Sequence, residues 1–229
     1  MTHAHVFAPT IPAIPIAGEQ RSFPVQRIFC VGRNYADHAR EMGSDPRATP
    51  PFFFMKHAAA AHLAGPAMAF PSDTDNLHHE VELVLAIGAE GRALEAPTAE
   101  QVVFGYAVGL DLTKRDRQAN ARAAGGPWER AKSFEGSAPM SMIRPAQAVG
   151  PLRAARIWLS LNGEMRQAAD IADMIWSPAE ILAELSRLWV LQPGDLVFTG
   201  TPAGVSTIYA GDRLRAGVDG IGEIDVTIG

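Results

Sequence analysis

Cysteine occurs once in these 229 residues, at Cys30, so no intramolecular disulfide can form and the usage fits a reducing cytosol. Cys30 lies in the apolar run RIFCVG, where a buried structural thiol is expected rather than an exposed nucleophile. Runs of lysine and arginine are missing too, and the formal net charge is −5. With no basic track for phosphates, nucleic acid is excluded as the expected partner. No stretch approaches the ~18 apolar residues of a membrane span. The opening MTHAHVFAPTIPAIPIAG is broken by Pro9, Pro12 and Pro15 and lacks the basic start and unbroken core of a signal peptide. A soluble, cytoplasmic protein is expected. Repeats and linkers are absent, and 47% hydrophobic with 20% charged residues is an ordinary globular composition.

Residues 1–24 read as an extended, proline-punctuated arm, and 25–229 as a single domain, mainly β (α+β) with a few short helices. RIFCVG is a short buried strand. ADHAREM, from Ala36 to Met42, favours helix and Gly43 terminates it. The small-residue segment from His57 to Asn76 reads as loop with short strands. TAEQ resembles a capping box, and Lys114 to Lys132 reads as a long functional loop because Gly125-Gly126-Pro127 breaks helices. Asn162-Gly163 marks a hairpin, and Asp219-Gly220 a terminal one. The clearest helix has Ser177 as N-cap, Pro178 at its first position and Glu180 closing a capping box. Ile181, Leu182, Leu185, Leu188 and Trp189 form its apolar stripe.

Within this pattern three carboxylates stand out. Glu80 and Glu82 in HHEVELVLAIG share one face of a strand, with Val81, Leu83, Leu85 and Ile87 on the other, and Asp111 closes the apolar run VVFGYAVGL. Either the Glu-x-Glu pair is a solvated strand face, or the three lie together at the edge of a core. There they repel one another unless a cation neutralises them. Oxygen donors without cysteine suit a hard divalent ion, Mg²⁺ first, then Mn²⁺ or Ca²⁺. His78 and His79 read as structural or as supports of the ligands.

Other residues carry two readings each. His38 and Glu41 are three apart, on one face of a helical turn: a surface ion pair, or a carboxylate that orders an imidazole to take a proton from water. Arg33 follows a glycine at a strand end and either clamps a carboxylate or pairs with Asp37; Tyr35 is placed to face the same pocket, and Asn34 reads as structural. Arg115 and Gln118 lie just beyond Asp111, within reach of a substrate, while Asp116 is expected to pair with a neighbouring arginine. Thr201, between Gly200 and Pro202, is either a turn residue or a hydroxyl and N–H for a carboxylate.

GRNYADHAREM, HHEVELVLAIG, GYAVGLDLTKRDRQ, KSFEGSAP and LQPGDLVFTGTPAGV, in this order, resemble the fumarylacetoacetate hydrolase family, from about residue 25 to the C-terminus. PPFFF and DMIWSPAEI bring the chain nearest to the bacterial fumarylpyruvate hydrolases within it. The resemblance implies the family's mixed β-roll, a β-sandwich-like core with short helices, in a homodimer. It implies Mg²⁺ or Mn²⁺ on Glu80, Glu82 and Asp111, a His38–Glu41 dyad on a lid-like helix, substrate contacts from Arg115 and Gln118, and Lys132 close to the metal. The activity implied is hydrolysis of a carbon–carbon bond in a 3-acylpyruvate such as 3-fumarylpyruvate, a small oxo-acid. The same cradle also suits oxaloacetate decarboxylation or hydroxymuconate isomerisation or decarboxylation, and a catalytically silent binding protein that kept the fold is the remaining alternative. One departure concerns the pocket wall: Lys56-His57-Ala58 stands where relatives read Lys-Pro.

Overall fold

The computed structural model describes residues 6–8, 10–36, 50–65 and 67–229. His38 and Glu41, with most of the ADHAREM segment, lie outside the described residues.

Four sheets form among the described residues. The largest runs in the order Phe52–Lys56, Arg27–Gly32, Asp195–Phe198, Val81–Ile87, Val103–Leu110, Ala138–Met140, Ala61–Leu63, with Arg144–Pro145 also paired to Val103–Leu110. Its central strands are apolar on both faces because both faces are covered. In Val81–Ile87, Val81, Leu83, Leu85 and Ile87 join one core cluster while Val84 and Ala86 join the other. Phe29 and Val31 against Ile28 and Cys30, and Val197 against Leu196 and Phe198, divide in the same way. Strand periodicity of two thus sorts each run into two cores. The mostly β, curled architecture agrees with the expected fold class.

A second sheet, Glu164–Asp170, Arg156–Leu161, Arg213–Val218, Gly222–Ile228 and Ala67–Met68, contains both expected hairpins. The Asn162-Gly163 turn has φ of 53° and 86°, the left-handed pair that a tight hairpin requires. A small third sheet places Leu77–His78 between Thr113–Lys114 and Thr207–Ile208. It draws three segments distant in sequence to one end of the large sheet, and the candidate site is built there.

Several expectations change. Residues 13–24 form a hairpin rather than an extended arm: Ala13–Pro15 pairs with Ser22–Pro24, and Ile14, Ile16 and Phe23 are buried in the second core cluster. The stretch expected as a loop after Lys114 is a helix, Arg115–Ala124. Gly125, at φ 62°, does not break it but ends it as a left-handed C-cap, a geometry that costs glycine little. A second short helix, Glu129–Lys132, follows. TAEQ forms no capping box: Glu95 is the N-cap of Ala96–Ala99 and its side chain makes no cap bond. Pro178–Leu188 has the expected box, the Ser177 hydroxyl accepting from the Glu180 N–H while Glu180 accepts from the Ser177 N–H. Its buried stripe is Ile181, Leu182 and Leu185. Leu188 and Trp189 are exposed because the helix ends there, and Trp189 rests its ring on Phe29.

Candidate metal centre and substrate pocket

The register of the two central strands brings the carboxylates together. Val81 lies opposite Leu110 and His78 opposite Thr113, so Glu80 and Asp111 fall at the junction between the large and small sheets, where the Asp111 N–H donates to the Glu80 carbonyl at 2.8 Å. Glu82, two residues further, lies on the same side. Oxygens of all three lie within 4.8 Å of one another. Relative exposures of 4%, 1% and 1% for Glu80, Glu82 and Asp111 rule out a solvated strand face.

Cations surround two of the three. Lys132 Nζ donates to Glu80 Oε2 and to Asp111 Oδ2, each at 2.6 Å, and Arg115 Nη2 donates to Glu80 Oε1 at 2.6 Å. Lys56 Nζ lies 2.8 Å from Asp111 Oδ1, close enough for an ion pair but not aligned as a hydrogen bond, so that buried oxygen keeps an unused lone-pair direction. Glu82 accepts the Gly200 N–H at 2.7 Å and makes no ion pair among the described residues. Gly200 has φ +99°, and a Cβ there would come within 2.6 Å of Asn34 Cβ, so glycine is needed for this amide to reach the carboxylate.

Electrostatics follow from this geometry. Burial first, then the charges of Asp111 and Glu80, push the Glu82 carboxyl well above the ordinary carboxylate range. Burial alone would lower the Lys132 ammonium, but Asp111 and Glu80 outweigh it and hold it above its usual value. Burial and the Arg115 charge push His78 down to about 4, and burial lowers His79, so both imidazoles are neutral. A buried oxygen-only donor set with an unused Asp111 oxygen, and with no cysteine or histidine in the cluster among the described residues, fits a hard divalent ion.

The pocket above these carboxylates is lined by Arg33, Arg115, Gln118, Lys132 and Thr201, all singled out in the sequence. Arg115 Nη1 donates to Gln118 Oε1 at 2.5 Å, so the two act as one unit. Arg33 holds a left-handed φ of 61°, a strained conformation of the kind that collects at functional sites. Tyr35 is not among the lining residues. An isolated bridge to Met174 turns it into the core, beside a separate cavity with Pro202 and Ala203. Asn34 is fully buried and structural, as expected: its Nδ2 donates to the Trp176 and Thr199 carbonyls and its Oδ1 accepts the Trp176 N–H. Asp116 lies 3.6 Å from Arg117 and accepts from Thr74. Cys30 is fully buried, its thiol pushed well up by burial.

Two features escaped the sequence reading. Lys56, noted only for the missing proline after it, is buried at the cluster, its ammonium also donating to the Leu112 and Lys132 carbonyls. A lysine ending the apolar strand FFFMK was the available signal. The second is an aromatic wall. Trp128 packs on Phe52 and Phe54 with centroids 5.0 and 5.8 Å apart, and Lys132 Nζ sits 5.1 Å from the Phe54 ring centre.

Lys132→Met is expected to destabilise the metal-free protein by about 3–5 kcal/mol, because it strips the shared cation from two buried carboxylates. For a domain of this size that is a fall of roughly 6–20 °C in Tm. Calorimetric scans after chelator treatment measure it, and an unchanged midpoint would show that Lys56 and Arg115 suffice.

Residues 27–229 match a family model described as fumarylacetoacetate (FAA) hydrolase, C-terminal. A mitochondrial oxaloacetate tautomerase of Mus musculus is 42% identical over 196 residues, which cover 86% of this chain and 88% of that protein. A fumarylpyruvate hydrolase of Ralstonia sp is 43% identical over 178 residues, 78% of this chain and 92% of the other. Among solved structures, fumarylpyruvate hydrolase from Pseudomonas aeruginosa in complex with Mn²⁺ and pyruvate superposes with a TM-score of 0.95 at 50% identity, covering 98% of this chain and 99% of that one.

Proposed function

Because the chain belongs to the fumarylacetoacetate hydrolase family, we propose that it is a metal-dependent acylpyruvate hydrolase that cleaves 3-fumarylpyruvate with water to fumarate and pyruvate. The observation that carries the reading is a cavity of about 450 Å³ that shares Arg33, Phe54 and Trp128 with the carboxylate pocket. It offers an aromatic face to a flat conjugated acyl group, and Arg122 beside it offers a charge to a terminal carboxylate. Oxaloacetate alone would leave this space unfilled.

Glu80, Glu82 and Asp111 would hold Mg²⁺ or Mn²⁺, which supplies Lewis acidity toward the oxygens of a 2-oxo acid when bound. In this reading Thr201 and Arg115 hold the pyruvate half by its carboxylate and 2-oxo oxygens. The His38 imidazole, ordered by Glu41, takes a proton from water as the water oxygen adds to the acyl carbonyl. Lys132 places its ammonium beside the oxygen that becomes negative. The bond from the acyl carbon to C3 of the pyruvate half then breaks. Its electron pair leaves on pyruvate as the enolate, which takes up a proton at C3, and the acyl group departs as fumarate. Exposed Phe52, Leu63 and Met142 support a homodimer as part of the same reading.

Keto–enol conversion of oxaloacetate is the second reading, favoured by the Mus musculus relative. It needs proton transfer at one carbon and no attacking water. The test compares fumarylpyruvate and acetylpyruvate hydrolysis with oxaloacetate tautomerisation in the Mn²⁺-loaded protein. Trp128→Ala should raise KM for fumarylpyruvate roughly 3- to 10-fold, and for acetylpyruvate less, since only the longer acyl group reaches the aromatic wall. Rapid tautomerisation without hydrolysis of either acylpyruvate would establish the second reading instead.

A further inference from the structure

Gln167 sits on the strand Glu164–Asp170, hydrogen-bonded to the pocket residue Thr201, and is completely buried. Its inward direction comes from a bulge: Gln167 lies opposite Leu159 but Met165 lies opposite Ser160, so Arg166 is the extra residue. Two backbone groups fix which way its amide points. The Val81 N–H can only donate, and it reaches Gln167 Oε1 at 3.2 Å. The Pro202 carbonyl can only accept, and Gln167 Nε2 reaches it at 2.8 Å.

Once the amide is fixed, the rest of the chain of hydrogen bonds has one direction. His79 Nδ1 lies 2.9 Å from Gln167 Oε1, an acceptor, so Nδ1 carries the proton and donates. His79 Nε2 is then a lone pair and accepts from the Ser206 hydroxyl at 2.8 Å. On the other side Gln167 Nε2 donates to Thr201 Oγ1 at 2.8 Å. With that lone pair engaged, the Thr201 hydroxyl proton is left to point elsewhere, and among the described residues no acceptor takes it. Thr201 is 3% exposed and lines the carboxylate pocket.

We propose that Gln167 is a positioning residue that occupies one lone pair of the Thr201 hydroxyl and keeps the hydroxyl proton off that side, which favours an acceptor oxygen of a carboxylate or 2-oxo group as the ligand group at Thr201. A freely rotating hydroxyl would serve a donor or an acceptor alike; Gln167 removes one of its two accepting directions and so biases it toward donating. The inference rests on the oxo-acid reading above and adds to it the polarity of one subsite and the residue that sets it.

The test is calorimetric binding of pyruvate to the Mn²⁺-loaded protein, with Mn²⁺ affinity measured separately. Gln167→Glu replaces the NH₂ by an oxygen that accepts the Thr201 proton, turning the hydroxyl's lone pairs toward the ligand. Pyruvate affinity should fall about 10- to 100-fold, the range for a lost hydrogen bond to a charged group, with Mn²⁺ affinity unchanged. Thr201→Val alone should lose a similar factor. Adding Gln167→Glu to Thr201→Val should then cost little more, because Gln167 acts through the hydroxyl. A full further loss in the double variant would mean that the new carboxylate simply repels pyruvate, and would overturn the proposal. Should Gln167→Glu fail to fold, Gln167→Met introduces no charge and frees the hydroxyl to accept as well as donate. The preference for pyruvate over pyruvamide, whose amide can donate, should then narrow, and an unchanged preference in that variant would overturn the proposal equally. Wild-type protein that binds Mn²⁺ but not pyruvate would instead sink the oxo-acid reading beneath it.

Discussion

Glu82→Gln is expected to abolish divalent-metal binding and activity while raising the thermal midpoint of the metal-free protein. The two effects have opposite signs because Glu82 is the carboxylate of the cluster without an ion pair among the described residues. Lys132, Arg115 and Lys56 are all spent on Glu80 and Asp111. Glu82 has only the Gly200 amide to offset its burial and the repulsion of its neighbours, which is why its carboxyl sits well above the ordinary range. Glutamine keeps the size, still accepts from Gly200 and removes the repulsion. A gain of about 1 kcal/mol would raise the midpoint by ~2–4 °C. For the metal the same change removes both a ligand and a charge. The loss should therefore exceed the roughly 10- to 100-fold that removal of an outer-shell partner costs. Titration calorimetry with Mn²⁺ and scanning calorimetry of the chelated protein read the two effects separately. Unchanged Mn²⁺ affinity would remove Glu82 from the metal site. A lowered midpoint would show that its carboxylate stabilises the empty cluster.

What was legible in the sequence was local or periodic. The alternation in VELVLAI and the run ending at Asp111 announced two strands and put Glu80 and Glu82 on one face, because strand periodicity is written in consecutive residues. The pattern alone leaves open whether that face is buried or solvated; the family resemblance implies that it is buried. The Ser177 capping box and the Asn162-Gly163 turn are equally local, and both form. What depended on tertiary neighbours was not legible. Nothing in FFFMK says that the Lys56 ammonium meets Asp111, 55 residues away, since that contact depends on which strands flank Arg27–Gly32. Whether Gly125 breaks a helix or ends it is settled by the turn before it, and Arg115–Ala124 had already formed. Tyr35 was placed in the pocket by its position after Arg33; the bridge to Met174 that turns it away joins residues far apart in sequence. Gln167 was invisible for the same reason, because its partners Val81, His79, Thr201 and Pro202 come from two other segments.

Glu41→Gln should separate hydrolysis from tautomerisation. If the His38 imidazole takes a proton from the attacking water, it becomes an imidazolium, and the Glu41 carboxylate stabilises that charge. A neutral amide of the same size can still hydrogen-bond the ring but no longer offsets its charge, so the base weakens while its orientation is kept. General-base assistance is typically worth ~10²–10⁴-fold, and kcat for fumarylpyruvate hydrolysis should fall within that range. KM should change little, because the loss falls in the transition state rather than on the bound substrate. The carboxylate cluster that would hold the metal is built from other segments, so Mn²⁺ affinity should stay at the wild-type value. Oxaloacetate tautomerisation, which moves a proton without adding water, should lose much less if it occurs at this site. The measurement is kcat for both reactions in wild type and variant at saturating Mn²⁺. Hydrolysis at the wild-type rate in Glu41→Gln would reduce His38 and Glu41 to the surface ion pair that their spacing alone allows, and the base would have to be sought among other residues. Equal losses in both reactions would assign the dyad to proton transfer at carbon, common to both readings, and leave the attacking water to a different base.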